Sequence, residues 1–259
     1  MTECHVIACG ISLLRNFAES QVLQCSSILW KHPELKNSLR DPSKIEGFLK
    51  ELSDGEKASL RGEILSYLKQ DPRRASAELN SLFGYIEDVK RGKVEDIRSF
   101  IEEVHLMRSD TESGRLTVDV LSDYLSSLGL RVNSHAVGGF GSQDFDNAIR
   151  DLVRKVRGVV RSCRGEIVFN VTGGYKVETA AMAVLAAESD IKQYYIHETS
   201  GRVVLLPPTS ELKVRMTSWE KLLTALTVLI NLPFSFDPME MAFKAVVSAA
   251  IIWIVYRKV

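Results

Sequence analysis

Apolar and polar positions follow two patterns along this chain: short apolar runs, and longer stretches with helical spacing. The apolar runs predict five main strands and a sixth, short one, at His5–Cys9, Val104–Met107, Arg131–Val137, Glu166–Val171, Gln193–His197 and Val203–Leu206. Helical spacing predicts helices at Val118–Leu128, Asp144–Ser162 and Val177–Ala187. Strands that alternate with helices form a mostly parallel sheet covered on both faces. The pattern therefore predicts an α/β fold, with a Rossmann-like sheet of five or six strands.

The gap between the first two strands is long. Residues 16–97 show several short helical patterns, separated by Pro33, Pro42 and Pro72. We therefore expect a large helical insertion after strand 1, inside a sheet domain that covers residues 1–210.

The remaining residues, 211–259, predict an apolar helical hairpin made of Trp219–Leu232 and Met239–Tyr256. The uncharged run Ala245–Tyr256 is shorter than the about 20 residues that cross a bilayer, which favours buried helices. Membrane association stays open as an alternative, because Trp253 and Arg257 resemble an interfacial anchor.

The amino-acid composition limits the ligands that the protein is expected to bind and the cellular compartment in which it is expected to lie. The 33 basic and 33 acidic residues cancel, so no overall field attracts DNA, and a nucleotide must bind at a local site. The first ten residues have no secretory signal pattern, which predicts a cytoplasmic protein. Four cysteines, Cys4, Cys9, Cys25 and Cys163, show no CxxC pair and no Cys/His cluster along the sequence. We therefore expect a reducing compartment, no structural zinc and no cofactor.

The segment Glu166–Lys176, EIVFNVTGGYK, carries the strongest local signal. A buried strand ends at Thr172-Gly173-Gly174, and a helix begins at once, as in strand–loop–helix sites that bind phosphate. Lys176 lies in the first helical turn, where the helix dipole disfavours a cation unless an anion is bound nearby. A plain glycine turn beside a solvated lysine is the alternative.

Topology groups further candidates with this loop. In the common strand order 3-2-1-4-5, strands 1 and 4 are neighbours at the switch point, where ligands bind outside the carboxyl ends. The candidate ligand-binding residues on that edge are Gly10, Ile11, Ser12, Ser109, Asp110, Thr111, Gly139, Phe140, Thr172, Gly173, Gly174, Tyr175 and Lys176. Helix capping is the alternative role for Ser12, and the favoured one for Ser109 and Asp110.

Several motifs in order along residues 1–208 resemble one family. They are CGISLL, SAELNSL, LMRSDTESGR, GGFGSQDF, FNVTGGYKVETA and YYIHETSGRVVLLPP. The chain resembles the CARF (CRISPR-associated Rossmann-fold) family, in the branch with the archaeal CRISPR ring nucleases. The first loop departs from the family pattern, because Ile11 stands where a threonine is usual.

The resemblance implies a homodimer that binds a cyclic oligoadenylate, most simply cyclic tetra-adenylate, across its two-fold axis. It also implies that Ser12 and Lys176 are catalytic, without a metal. The ribose 2′-hydroxyl would attack the adjacent phosphodiester and leave a 2′,3′-cyclic phosphate, which ends the antiviral signal. No general base is obvious in the sequence, which predicts slow turnover.

Two alternatives stay open. One is a sensor without chemistry, whose C-terminal segment, in a membrane or not, responds to the bound messenger. The other is an unrelated nucleotide-binding enzyme, which requires the shared loop motifs to be chance.

Overall fold

The computed structural model describes residues 2–20, 26–142, 144–197 and 200–206, apart from the side chains of residues 42 and 43. Within these residues the chain forms a mixed α/β fold around one six-stranded sheet. The strands are β1 (Glu3–Ala8), β2 (Ile101–Ser109), β3 (Arg131–Val137), β4 (Glu166–Asn170), β5 (Lys192–Ile196) and β6 (Val203–Leu206). The predicted helical hairpin at 211–259 lies outside the described residues.

The strands lie in the order β3-β2-β1-β4-β5-β6. The first five are parallel, and β6 pairs antiparallel with β5. The predicted order of the five main strands is therefore confirmed, with β1 and β4 as neighbours at the switch point.

Helices fill the connections. They are α1 (Ser12–Glu19), α2 (Ser27–Lys31), α3 (Leu35–Arg40), α4 (Pro42–Glu51), α5 (Asp54–Gln70), α6 (Pro72–Ala75), α7 (Ala77–Gly84), α8 (Ile97–Phe100), α9 (Glu112–Ser127), α10 (Phe145–Ser162) and α11 (Lys176–Glu188). Helices α1 to α8 all lie between β1 and β2, so the predicted helical insertion is present. Helix α9 begins earlier than the predicted Val118, because the Thr111 hydroxyl accepts from the Gly114 amide at 3.1 Å and caps a polar first turn.

Alternate residues of the central strands pack into two different hydrophobic cores. Ile7 and Leu106 pack with the insertion helices and α9, whereas Val6 and Met107 pack with α10 and α11. This alternation follows from the two-residue period of a strand. Among the described helices, none combines the length and the apolar character needed to cross a bilayer.

The cysteines and histidines are closer in space than along the sequence. Cys4 and Cys163 are joined by a disulfide, with their Cα atoms 6.2 Å apart. Ligand atoms of Glu103, His105 and these two cysteines all lie within 4.8 Å of one another. This cluster is not visible in the sequence spacing, because residues from three separate elements converge.

Candidate functional site

The loops after β1 and β4 touch at the carboxyl edge of the sheet. A Cβ atom added to Gly10 would lie 3.0 Å from the backbone nitrogen of Gly174. Gly174 has a φ of 90°, in the left-handed region that glycine adopts at little cost. The backbones can approach this closely because both positions are glycines.

Ser12 is the first residue of α1, and its hydroxyl is engaged with the insertion. It donates to Glu78 Oε2 at 3.0 Å and accepts from the Ala77 amide at 3.3 Å. The cap position of α1 is Ile11, which makes no side-chain cap hydrogen bond. The alternative that Ser12 caps its own helix is therefore wrong; its hydroxyl links the start of α1 to α7 instead.

Glu78 is a buried carboxylate that holds both loops together. Its Oε1 accepts from the Gly10 amide at 2.9 Å, and its Oε2 also accepts from the Ser76 hydroxyl at 2.7 Å. Gly173 packs directly against the same carboxylate. Glu78 was not predicted from the sequence, although a charged residue beside Leu79 and Leu82 on a buried helix face was a usable signal.

Glu178, a second buried carboxyl group, lies in the first turn of α11. Its Oε2 accepts from the Tyr175 amide at 3.4 Å, and its Oε1 has no hydrogen-bond partner among the described atoms. Burial, and then the charge of Glu78, raise the pKa of Glu178 to about 8. Glu178 therefore holds its proton at neutral pH, beside the Glu78 side chain. This buried pair was not predicted from the sequence.

Lys176 begins α11, directly after the glycine turn, and its side chain is exposed. No residue in the described part of the chain forms an ion pair or hydrogen bond with its ammonium group. The positive end of the helix dipole adds to its charge. An anion in front of this turn would meet the Lys176 ammonium group and the positive end of the helix dipole.

The loop after β3 joins the same edge through an aromatic stack. Phe140 and Tyr175 have ring centroids 5.3 Å apart and planes 14° apart, and Tyr175 is 41% exposed. Asp110 accepts from the Gly139 and Gly141 amides at 3.1 and 2.7 Å, which fixes this loop. Tyr175 thus offers a supported aromatic ring at the rim, beside Lys176 in the chain.

Three other candidates have internal roles. Ser109 is buried and bonds Thr111 Oγ1 at 2.6 Å. Thr111, and neither Ser109 nor Asp110, caps α9, so the capping role was assigned to the wrong residues. The Thr172 hydroxyl accepts from the Ile196 amide at 3.1 Å and ties the β4 loop to β5. These residues shape the loops through contacts within the chain.

Substituting Gly173 tests how tightly the β4 loop is packed. A Cβ at Gly173 would overlap Glu78 Oε1 and lie 2.7 Å from the Ala8 carbonyl oxygen. We expect Gly173→Ala to lower the free energy of unfolding by about 1–3 kcal/mol, measured by urea denaturation. Gly158→Ala is the matched control, because its added Cβ has no neighbour within 4 Å among the described residues beyond its own stretch of helix backbone. Alanine should stabilise α10 there by about 0.5–1 kcal/mol. Equal effects at both positions would mean that the loop is not tightly packed.

The fold is a doubly wound Rossmann-like α/β domain, and its candidate site lies at the switch point between β1 and β4. Residues 73–209 match the family model described as CRISPR-associated protein (Cas_APE2256). Because the match spans more than half of the chain, this protein belongs to that CRISPR-associated family. The matched region includes Glu78, Lys176 and Glu178, whereas Ser12 precedes it.

Proposed function

We propose that this CRISPR-associated protein is of the CARF type and binds a cyclic oligoadenylate at the carboxyl edge of its sheet. We further propose that it cleaves the ring, cyclic tetra-adenylate in the first instance, without a metal. The observation that carries the proposal is the exposed Lys176 at the start of α11, on a glycine turn that touches the loop before Ser12. Its ammonium group has no partner among the residues that the structure describes. A phosphodiester group of the cyclic oligoadenylate would be the anion that this arrangement binds.

Recognition would combine charge with stacking. Lys176 and the positive amino end of α11 bind phosphoryl oxygens, and the exposed face of Tyr175 stacks on an adenine. A homodimer would present the same loops twice to opposite phosphates of a four-membered ring. This arrangement predicts one ring per two chains.

Cleavage needs an in-line geometry and somewhere for the 2′-hydroxyl proton to go. The 2′-oxygen bonds to phosphorus as the bond to the 5′-oxygen breaks, and Lys176 offsets the charge that develops on the phosphoryl oxygens. The Ser12 oxygen accepts the 2′-hydroxyl proton and passes its own proton to Glu78 Oε2, which lies 3.0 Å away. Water at the rim protonates the departing 5′-oxygen. Glu78 thus supplies the base that the sequence did not reveal.

The deciding experiment mixes purified full-length protein with labelled cyclic tetra-adenylate in EDTA. Wild type should yield linear products with 2′,3′-cyclic phosphate ends. Lys176→Ala should be slower by about 100-fold, because it removes the charge that stabilises the transition state. Lys93→Ala is the matched control and should keep wild-type activity, since this exposed lysine lies in the segment that leads to the amino end of β2.

Two other outcomes separate the alternatives. Tight binding with an intact ring supports a sensor without chemistry. No binding of cyclic tetra-adenylate or cyclic hexa-adenylate by wild type would contradict the proposal itself.

A further inference from the structure

A second cluster of reactive side chains lies at the opposite end of the sheet from Lys176. Cys4 pairs with Glu103 across β1 and β2, and His105 lies opposite Val6 on the same face. Cys163 follows the C-terminal end of α10, which packs on that face. Strands β1 and β2 carry three of these side chains, and the fourth follows the end of α10.

We propose that the reduced protein binds a zinc ion through Cys4, Cys163, His105 and Glu103. His105 Nε2 lies 3.7 Å from Cys163 Sγ and 3.4 Å from Glu103 Oε1. A tetrahedral zinc ion, with bonds of about 2.0–2.3 Å, separates its ligand atoms by about 3.3–3.8 Å. The distances from the histidine therefore suit a shared metal. Two thiolates, one imidazole and one carboxylate form a complete set, as in structural zinc sites.

The surroundings orient these ligands. His105 Nδ1, the nitrogen that would not bind the metal, lies 2.9 Å from His135 Nε2. The Asn133 side-chain amide donates to Glu103 Oε1 at 2.6 Å. Metal-binding histidines and carboxylates are usually held by such partners.

Metal binding and the disulfide exclude each other. In the disulfide both sulfur atoms are bonded together and neither is a thiolate, so only the reduced pair can bind the ion. Each thiol releases its proton when zinc binds. A bound ion would fasten the end of α10 to β1 and β2, far from the proposed ring site, so its occupancy can be tested independently of ring cleavage.

Cobalt titration of the full chain tests the proposal. Protein reduced with a phosphine, freed of metal and kept without oxygen should show thiolate-to-cobalt charge-transfer absorption and tetrahedral visible bands. Zinc should abolish both at one equivalent per chain. Cys163→Ser and His105→Ala should lose the signal, whereas Cys9→Ala and His197→Ala, which change a cysteine and a histidine outside the cluster, should keep it. His135→Ala, which alters a positioning residue, should weaken zinc binding by about 10–100-fold.

A measurement on wild type guards against variants that do not fold. Zinc should protect Cys4 and Cys163 from alkylation, as read by mass spectrometry, and EDTA should remove that protection. Equal alkylation with and without zinc would overturn the proposal. So would a cobalt signal that survives in folded Cys163→Ser, or a Cys4–Cys163 disulfide that persists in the phosphine.

Discussion

Replacing Glu178 with glutamine should make the protein increasingly more stable than wild type as the pH rises from 4.5 to 8. The wild-type carboxyl group is buried, and its pKa of about 8 lies well above the ordinary value of 4.5. Its position in the first turn of α11 favours a negative charge, but burial outweighs the helix dipole. The neutral amide copies the protonated acid and cannot ionise.

The sign follows from proton binding. Between pH 4.5 and 8 the folded protein holds a proton on Glu178 that the unfolded chain has released. This group's contribution is therefore fully present below pH 4.5, and it is lost as the pH rises through the folded pKa. The loss is about 1.4 kcal/mol per pH unit, or roughly 5 kcal/mol across the interval.

Urea denaturation of both proteins at pH 5.5, 7 and 8.5 measures this difference. The free energy of unfolding of Glu178→Gln minus that of wild type should increase across the series. Glu188→Gln changes an exposed glutamate at the other end of α11 and should track wild type within about 0.5 kcal/mol. A difference that stays constant with pH would show that Glu178 is ionised in the folded protein.

The fold was largely predictable because buried parallel strands are local apolar runs. The first and last residues of the strands and helices were less predictable. Strand β1 begins at Glu3, before the predicted His5, because Glu3 is buried with His5 and accepts from the Tyr85 hydroxyl at 3.0 Å. In the sequence alone, a glutamate before an apolar run resembles a loop residue. Its place in the strand depends on Tyr85 in the insertion, which the local sequence does not reveal.

The candidate site was predictable only in part. The glycine turns after β1 and β4 can be recognised in the sequence, and the strand order places these two loops side by side. Glu78 reaches the Gly10 amide from 68 residues away, through the packing of α7, and the local sequence carries no record of that contact. Cys4 and Cys163 are separated by 159 residues. Contacts that depend on how the insertion and α10 pack therefore stayed hidden.

Glu78→Gln should have the opposite effect to Glu178→Gln, although the two substitutions are chemically the same. Both oxygens of Glu78 accept hydrogen bonds: Oε1 from Gly10, and Oε2 from Ser12 and Ser76. A glutamine has one acceptor oxygen, so its NH₂ group must face either the Gly10 amide, which can only donate, or the two serine hydroxyls, which must then turn away the protons that they donate to Glu78. Hydrogen bonds to a charged group contribute about 1.5–3 kcal/mol each, and unpaired buried donors add a desolvation cost.

We therefore expect Glu78→Gln to lower the free energy of unfolding by about 3 kcal/mol at pH 7, measured by urea denaturation. Removing the Glu78 charge should also lower the pKa of Glu178, which moves the pH-dependence of stability to lower pH. Glu188→Gln again serves as the control. If Glu78→Gln is as stable as wild type, then Glu78 does not hold the two loops together, and the route from Ser12 to a buried base loses its support. If it is unstable but still cleaves cyclic tetra-adenylate at the wild-type rate, Glu78 is structural and the proton leaves by another path.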